Sequence, residues 1–96
     1  MSRSRAQLRV HGRVQGVGFR HFAYQRARNL GLNGWVRNEP DGSVGAVAEG
    51  DRDDIESFVE ELKAGPPSAA VDGVDVQWRE YTGQFDSFDI SMHYSS

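Results

Sequence analysis

Twice along this chain the apolar residues pass from a two-residue spacing to a helical spacing and back, and that alternation sharply limits the folds open to it. Residues 6–14, AQLRVHGRV, place Leu8 and Val10 on one side and Arg9 and His11 on the other, as in a strand. The following RHFAYQRARNLG continues from Phe19 with Ala23, Ala27 and Leu30 at helical spacing. Its helix is predicted over about 21–30, with Arg26 and Arg28 near the C-terminal end and Gly31 as the residue just beyond it. Residues 35–39 and 43–49 are strand-like, joined by Pro40-Asp41-Gly42, where Pro fixes φ and Gly permits a positive φ. A second helix is predicted over 51–64: Ile55, Phe58, Val59 and Leu62 form its apolar stripe, Asp51 its cap, Lys63 its basic end, and Gly65-Pro66-Pro67 its stop. Two further strands are predicted, 71–81 with Val74, Val76 and Trp78, and 86–94 with Phe88, Ile90 and Met92.

The resulting order, β-α-β-β-α-β-β, predicts an α+β, ferredoxin-like (split βαβ) sandwich. In it, βαββαβ gains a C-terminal strand and two helices cover one face of a mixed, mainly antiparallel sheet. Ninety-six residues suit one domain, 1–96, with a core over about 6–94, and only the first few residues and Tyr94-Ser95-Ser96 are expected to fray. There is no cysteine, which excludes disulfides, a thiolate metal site and a cysteine nucleophile. No apolar run has the length of a signal peptide or a membrane span, so a cytoplasmic chain without a membrane partner is expected.

Charge is unevenly placed. Before Glu39 the chain has eight arginines and no acid; from Glu39 onward, three basic residues face fourteen acids, for a net charge of −3. The basic half would draw an anion toward it, while the acidic total argues against a dedicated nucleic-acid binder. Within that basic half lies RVQGVGFR, residues 13–20. Gly16 and Gly18 fall between a strand end and a helix start, where successive N–H groups can converge on an anion and glycine lets it approach the backbone. Arg20, in the first turn, can fork two hydrogen bonds onto phosphate or carboxylate oxygens. The spacing fits neither the P-loop nor the dinucleotide fingerprint. Local features leave both an anion cradle and a tight turn followed by an arginine open. A ten-residue helix rises about 15 Å and a five-residue strand returns about the same distance at roughly 3.3 Å per residue, so Asn38 is expected beside the loop. Asn also commonly closes a hairpin, and spacing alone does not choose.

Gly12-Arg13-Val14-Gln15-Gly16-Val17-Gly18-Phe19-Arg20, followed by Gly34-Trp35-Val36-Arg37-Asn38 and Asp41-Gly42-Ser43-Val44, resembles the acylphosphatase family. The likeness runs from about residue 6 to 94. It implies the fold just described and hydrolysis of acyl phosphates to a carboxylate and inorganic phosphate, with no metal and no cofactor. It implies that the amides of Gln15, Gly16, Val17, Gly18, Phe19 and Arg20, with the Arg20 side chain, bind phosphate, and that Asn38 holds the attacking water. The implied partners are a small-molecule acyl phosphate, and inorganic phosphate or another anion as product or inhibitor; a monomer without nucleic acid is expected. Gly45 stands where the family often carries a larger or acidic residue, and no basic residue follows Ile90 closely.

Two other readings share the fold: a non-catalytic anion-binding module, and an RNA-binding module suggested by GVGFRHFAY. Against the second, Phe19 and Ala23 follow helical spacing. His11, His21 and His93 are too dispersed for a metal site, and no catalytic role is assigned to them. Glu49, Asp51, Asp53 and Asp54 are read as an acidic helix start, and Trp35, Phe58, Trp78 and Phe88 as core.

Overall fold

The computed structural model describes residues 2–91. Its elements are β1 (Arg3–Arg13), α1 (Phe19–Asn29), β2 (Asn33–Asn38), β3 (Val44–Asp51), α2 (Arg52–Ala64), β4 (Ala70–Arg79) and β5 (Phe88–Ile90). The sheet runs β4-β1-β3-β2-β5, with β5 parallel to β2 and the other neighbours antiparallel. This is the split βαβ order with a short parallel strand added at one edge.

The two-residue period decides which sheet face is dry. Ala6, Leu8 and Val10 of β1, Val36 of β2 and Val44, Ala46 and Ala48 of β3 are buried. Register aligns Leu8 with Ala46 and Val36 with Ala46 across the three central strands, so these side chains share one face. Against them pack Phe19, Ala23 and Ala27 of α1 and Ile55, Phe58 and Leu62 of α2. Phe58 meets Phe88 of β5 edge-on, ring centroids 5.9 Å apart, which fastens the added strand to the core. Asp51 caps α2, its carboxylate accepting from the Asp53 amide. Gly31 and Leu32 close α1 with reciprocal bonds, Gly31 N–H to Arg28 C=O and Leu32 N–H to Ala27 C=O, the Schellman arrangement.

Four sequence expectations are corrected. Residues 3–5 are not frayed: β1 begins at Arg3, which pairs with Asp51, because β3 is long enough to carry the ladder outward. Among the described residues, β5 has three residues, Phe88–Ile90; Met92 and Tyr94 lie outside them. Trp35 is not core: it lies on the sheet face opposite the helices, half-buried under the Arg37 guanidinium at 4.4 Å, whereas Trp78 does pack against the core, at its rim, with Arg52 over its ring at 3.9 Å. Their rings are large and carry a polar edge, so a guanidinium cover suits them as well as a core does.

The fourth correction is Glu49, which belongs to no helix start. It is 2% exposed in β3. Its carboxylate accepts from Arg5 Nη1 at 3.1 Å, the Thr82 amide at 2.9 Å, Thr82 Oγ1 at 2.7 Å and the Gly83 amide at 3.0 Å. These bonds anchor the crossover from β4 to β5. Burial pushes the Glu49 pKa up, but the Thr82 hydroxyl and amide, Arg5 and the Gly83 amide outweigh it and hold the pKa below the usual value.

Candidate active site

β1 parts from β3 after Val10 and, through a bulge between His11 and Gly12, keeps Gly12 and Arg13 paired with β4. Glycine is required at position 12 because the backbone passes so close to β4 that a Cβ would collide with the Ala70 carbonyl. The chain then turns through residues 15–18 and enters α1 at Phe19. Gly16 and Gly18 both adopt the left-handed conformation, φ 75° and 77°. A Cβ at either would meet no atom within 4 Å, so conformation and not crowding demands glycine, and the space above each is open. Gly18 is the N-cap of α1; no side chain caps this helix, and no acid stands in its first turn. The first N–H groups of any helix lack intrahelical partners, so this end presents donors and the positive end of the helix dipole.

Each loop residue has a distinct environment. Val17 C=O accepts from Ser68 Oγ at 2.9 Å. Its peptide is trans, so the Gly18 N–H points the other way. The Phe19 ring is 1% exposed within the core and contacts Phe22, so only the main chain of Phe19 faces the loop. Arg20 is half-buried in the first turn of α1. The Gln15 side chain reaches across to the β2–β3 hairpin, Nε2 donating to Glu39 C=O and to Ser43 C=O, both at 2.8 Å.

That last contact brings Asn38 into the picture. Asn38 ends β2 in register with Val44, on the helix-covered face and one residue before the Glu39 carbonyl that Gln15 holds. Its Oδ1 is buried and has no hydrogen-bond partner among the described residues. A buried acceptor left unpaired costs about 1–3 kcal/mol, and native proteins seldom carry one outside a functional site. The hairpin itself is well fastened. Asp41 Oδ1 accepts from the Ser43 hydroxyl at 2.6 Å and the Ser43 amide at 3.0 Å, and these bonds hold the Asp41 pKa below its usual value. Arg9 donates to Ser43 Oγ at 3.2 Å and Asp41 Oδ2 at 3.3 Å. Gly45 leaves room for the Glu39 carboxylate to fold flat on the sheet, where Arg37 Nε donates to it at 2.9 Å.

The histidines stand apart from this arrangement. His11 faces Asp75 at 2.9 Å, the exposed His21 stacks on Tyr24 with centroids 6.2 Å apart, and His93 lies outside the described residues. Among the described residues no three His, Asp or Glu side chains are grouped to hold a metal ion. No helix among them is long and apolar enough to cross a membrane.

The family model of acylphosphatase matches residues 6–90. The chain belongs to the acylphosphatase family. It is 48% identical over 92 residues to the acylphosphatase of Pelotomaculum thermopropionicum, covering 96% of this chain and all of that protein. It is 53% identical over 83 residues to the acylphosphatase of Thermococcus kodakarensis, covering 86% of this chain and 91% of that one. The crystal structure of acylphosphatase from Bacillus subtilis superposes with a TM-score of 0.89 at 39% identity, over 92% of this chain and 98% of that chain. Acylphosphatase membership also accounts for GVGFRHFAY: those residues form the loop and the start of α1, not the aromatic-bearing strand an RNA-recognition module needs.

Three contributions were not read from the sequence: the Gln15 side chain, the Ser68 hydroxyl and Glu49. Each depends on partners 24 to 51 residues away, and no local period signals such a pairing.

Proposed function

We propose that this acylphosphatase-family hydrolase cleaves the carboxyl–phosphate bond of acyl phosphates by direct attack of water, using the loop 15–20 and Asn38. The observation that carries the reading is that Gln15 ties two left-handed glycines at a helix start without a side-chain cap to the strand end that bears Asn38, whose buried Oδ1 has no partner among the described residues.

An acyl phosphate is a mixed anhydride whose leaving group is a carboxylate, with a conjugate-acid pKa of about 4. Such a group departs unprotonated, so no general acid is required. Phosphoryl transfer passes through a loose transition state and asks mainly for positioning and charge stabilisation. The amides of Gln15, Gly16, Val17, Gly18, Phe19 and Arg20, with the forked Arg20 guanidinium, serve the phosphoryl oxygens. The Asn38 amide does not titrate; its Oδ1 accepts from the water and fixes the line of attack. The water oxygen forms the new P–O bond while the P–O bond to the acyl group breaks, its electron pair leaving with the carboxylate. The water proton passes to a phosphoryl oxygen, giving inorganic phosphate.

The test is Asn38→Ala. Its kcat is expected to fall about 100-fold or more, with competitive inhibition by inorganic phosphate unchanged. A normal kcat would remove the water-positioning role, and a rate limb that follows a protein titration between pH 5 and 9 would contradict proton transfer to the substrate.

A further inference from the structure

The Gln15 side chain is placed as no binding group would be. Its amide nitrogen has two hydrogens, and both are taken by main-chain carbonyls of the hairpin, Glu39 C=O and Ser43 C=O, each at 2.8 Å. The assignment of nitrogen and oxygen is settled by chemistry, since only the nitrogen can donate to two carbonyls. The two acceptors are the ones that close the hairpin: Ser43 C=O also receives the Glu39 N–H at 2.9 Å, and Glu39 C=O receives the Gly42 N–H at 3.1 Å. Gln15 therefore binds the hairpin at its fixed base, from the first residue of the loop.

Position makes this contact more than a surface tie. Glu39 follows Asn38 directly, and Gly16 follows Gln15. One side chain thus spans from the residue before Gly16, the first left-handed glycine of the loop, to the residue after the amide whose buried Oδ1 has no partner among the described residues. The opposite side of the loop is held separately, by Ser68 Oγ on Val17 C=O. With the reading of the loop and Asn38 given above as its basis, we infer that the Gln15 side chain is a positioning residue for hydrolysis. It touches neither water nor phosphate; it sets the distance between the phosphate cradle and the water-holding amide. In-line attack is sensitive to that distance, and a displacement of about 1 Å can cost 100-fold in rate.

A double-mutant cycle tests this. Gln15→Met keeps volume and removes both donors. Each enzyme is assayed for kcat on benzoyl phosphate, for competitive inhibition by inorganic phosphate, and for Tm. Gln15→Met is expected to lower kcat about 10- to 100-fold while the phosphate inhibition constant changes less than about 3-fold. In the Asn38→Ala background the same substitution is expected to change kcat less than about 2-fold, because a residue acting through Asn38 has nothing left to position. A merely structural role would lower Tm and multiply with Asn38→Ala. Multiplicative losses, an unchanged kcat, or phosphate inhibition weakened in step with kcat would each overturn the inference. If Gln15→Met does not fold, Gln15→Asn, one methylene too short to reach both carbonyls, is carried through the same cycle with the same criteria. The single Asn38→Ala variant separates the two failures: if it keeps a normal kcat, the water-positioning reading itself falls and the inference with it.

Discussion

Glu49→Gln isolates one buried charge with almost no change in shape. Glu49 Oε2 accepts from Arg5 Nη1, the Thr82 amide and Thr82 Oγ1, and Oε1 from the Gly83 amide at 3.0 Å. Glutamine keeps one oxygen, which will stay with the three donors on the Oε2 side. Its NH2 then faces the Gly83 N–H, so one bond is lost and the attraction to Arg5 becomes that of a neutral group. Hydrogen bonds to charged acceptors contribute about 1.5–3 kcal/mol each. Thr82 and Gly83 are exposed, and water recovers part of the loss. A net cost of about 2 kcal/mol follows, which lowers Tm by roughly 8–16 °C in a domain of this size. The sign of the pH effect is fixed as well. The folded pKa of Glu49 lies below the ordinary value, so its stabilisation is complete above the unfolded pKa and is lost as pH falls through the folded one. The Tm gap between wild type and Glu49→Gln is therefore expected to be constant from pH 6 to 8 and to close below about pH 4.3. Activity at 25 °C is expected to be unchanged, because five residue steps along the strand, about 17 Å, separate Glu49 from Val44 at the candidate-site end of β3. A gap under 2 °C at pH 7, or one that persists undiminished to pH 3, would refute the assignment of Glu49 as the crossover's charged anchor.

Two glycine substitutions probe the site and its support. Gly18→Ala forces a side chain into φ 77° and is expected to cost roughly 1–2 kcal/mol and to reduce the rise in Tm that added phosphate gives; Gly18→Asn, better tolerated there, is expected to lose less. Melts with and without phosphate check both, and an Ala variant as stable as wild type would contradict the left-handed loop. Gly45→Ala puts a methyl where the Glu39 carboxylate lies and should break its bond to Arg37, at about 1–3 kcal/mol. In a Glu39→Ala background the same change is expected to be nearly neutral, which chemical denaturation will show.

What the sequence disclosed, and what it withheld, follows from range. The periods of β1, α1 and α2 are local, and the structure has each of them within a few residues of expectation. Asp51, Gly31 and the Pro40-Asp41-Gly42 turn are also local devices with local chemistry. The start of β1 does not show in the sequence because Arg3, Ser4 and Arg5 are polar and unpatterned; their place in the ladder comes from Asp51, Gly50 and Glu49 across the sheet. Glu49 itself read as one acid among four near a helix start. The arrival of Thr82 and Gly83, more than thirty residues on, covers it on the sheet face away from the helices. The place of Trp35 is hidden in the sequence because alternation along β2 does not reveal which sheet face the helices will cover. At the candidate site, the sequence groups the two glycines with Arg20, and out-and-back lengths bring Asn38 toward the loop, which the Gln15–Glu39 contact agrees with. The Gln15 tether that links the two segments was not, since it joins a side chain to carbonyls 24 and 28 residues away.

On the proposed function, the loop around Arg20 carries out metal-free hydrolysis of an acyl phosphate. The most direct test is the rate of benzoyl phosphate hydrolysis by the purified protein, with and without EDTA, beside Arg20→Ala. Fast turnover that ignores EDTA and nearly disappears in the variant, with weakened phosphate inhibition, is the predicted result. Turnover abolished by EDTA, an Arg20→Ala enzyme of normal rate, or a folded protein that binds phosphate and hydrolyses nothing would contradict it.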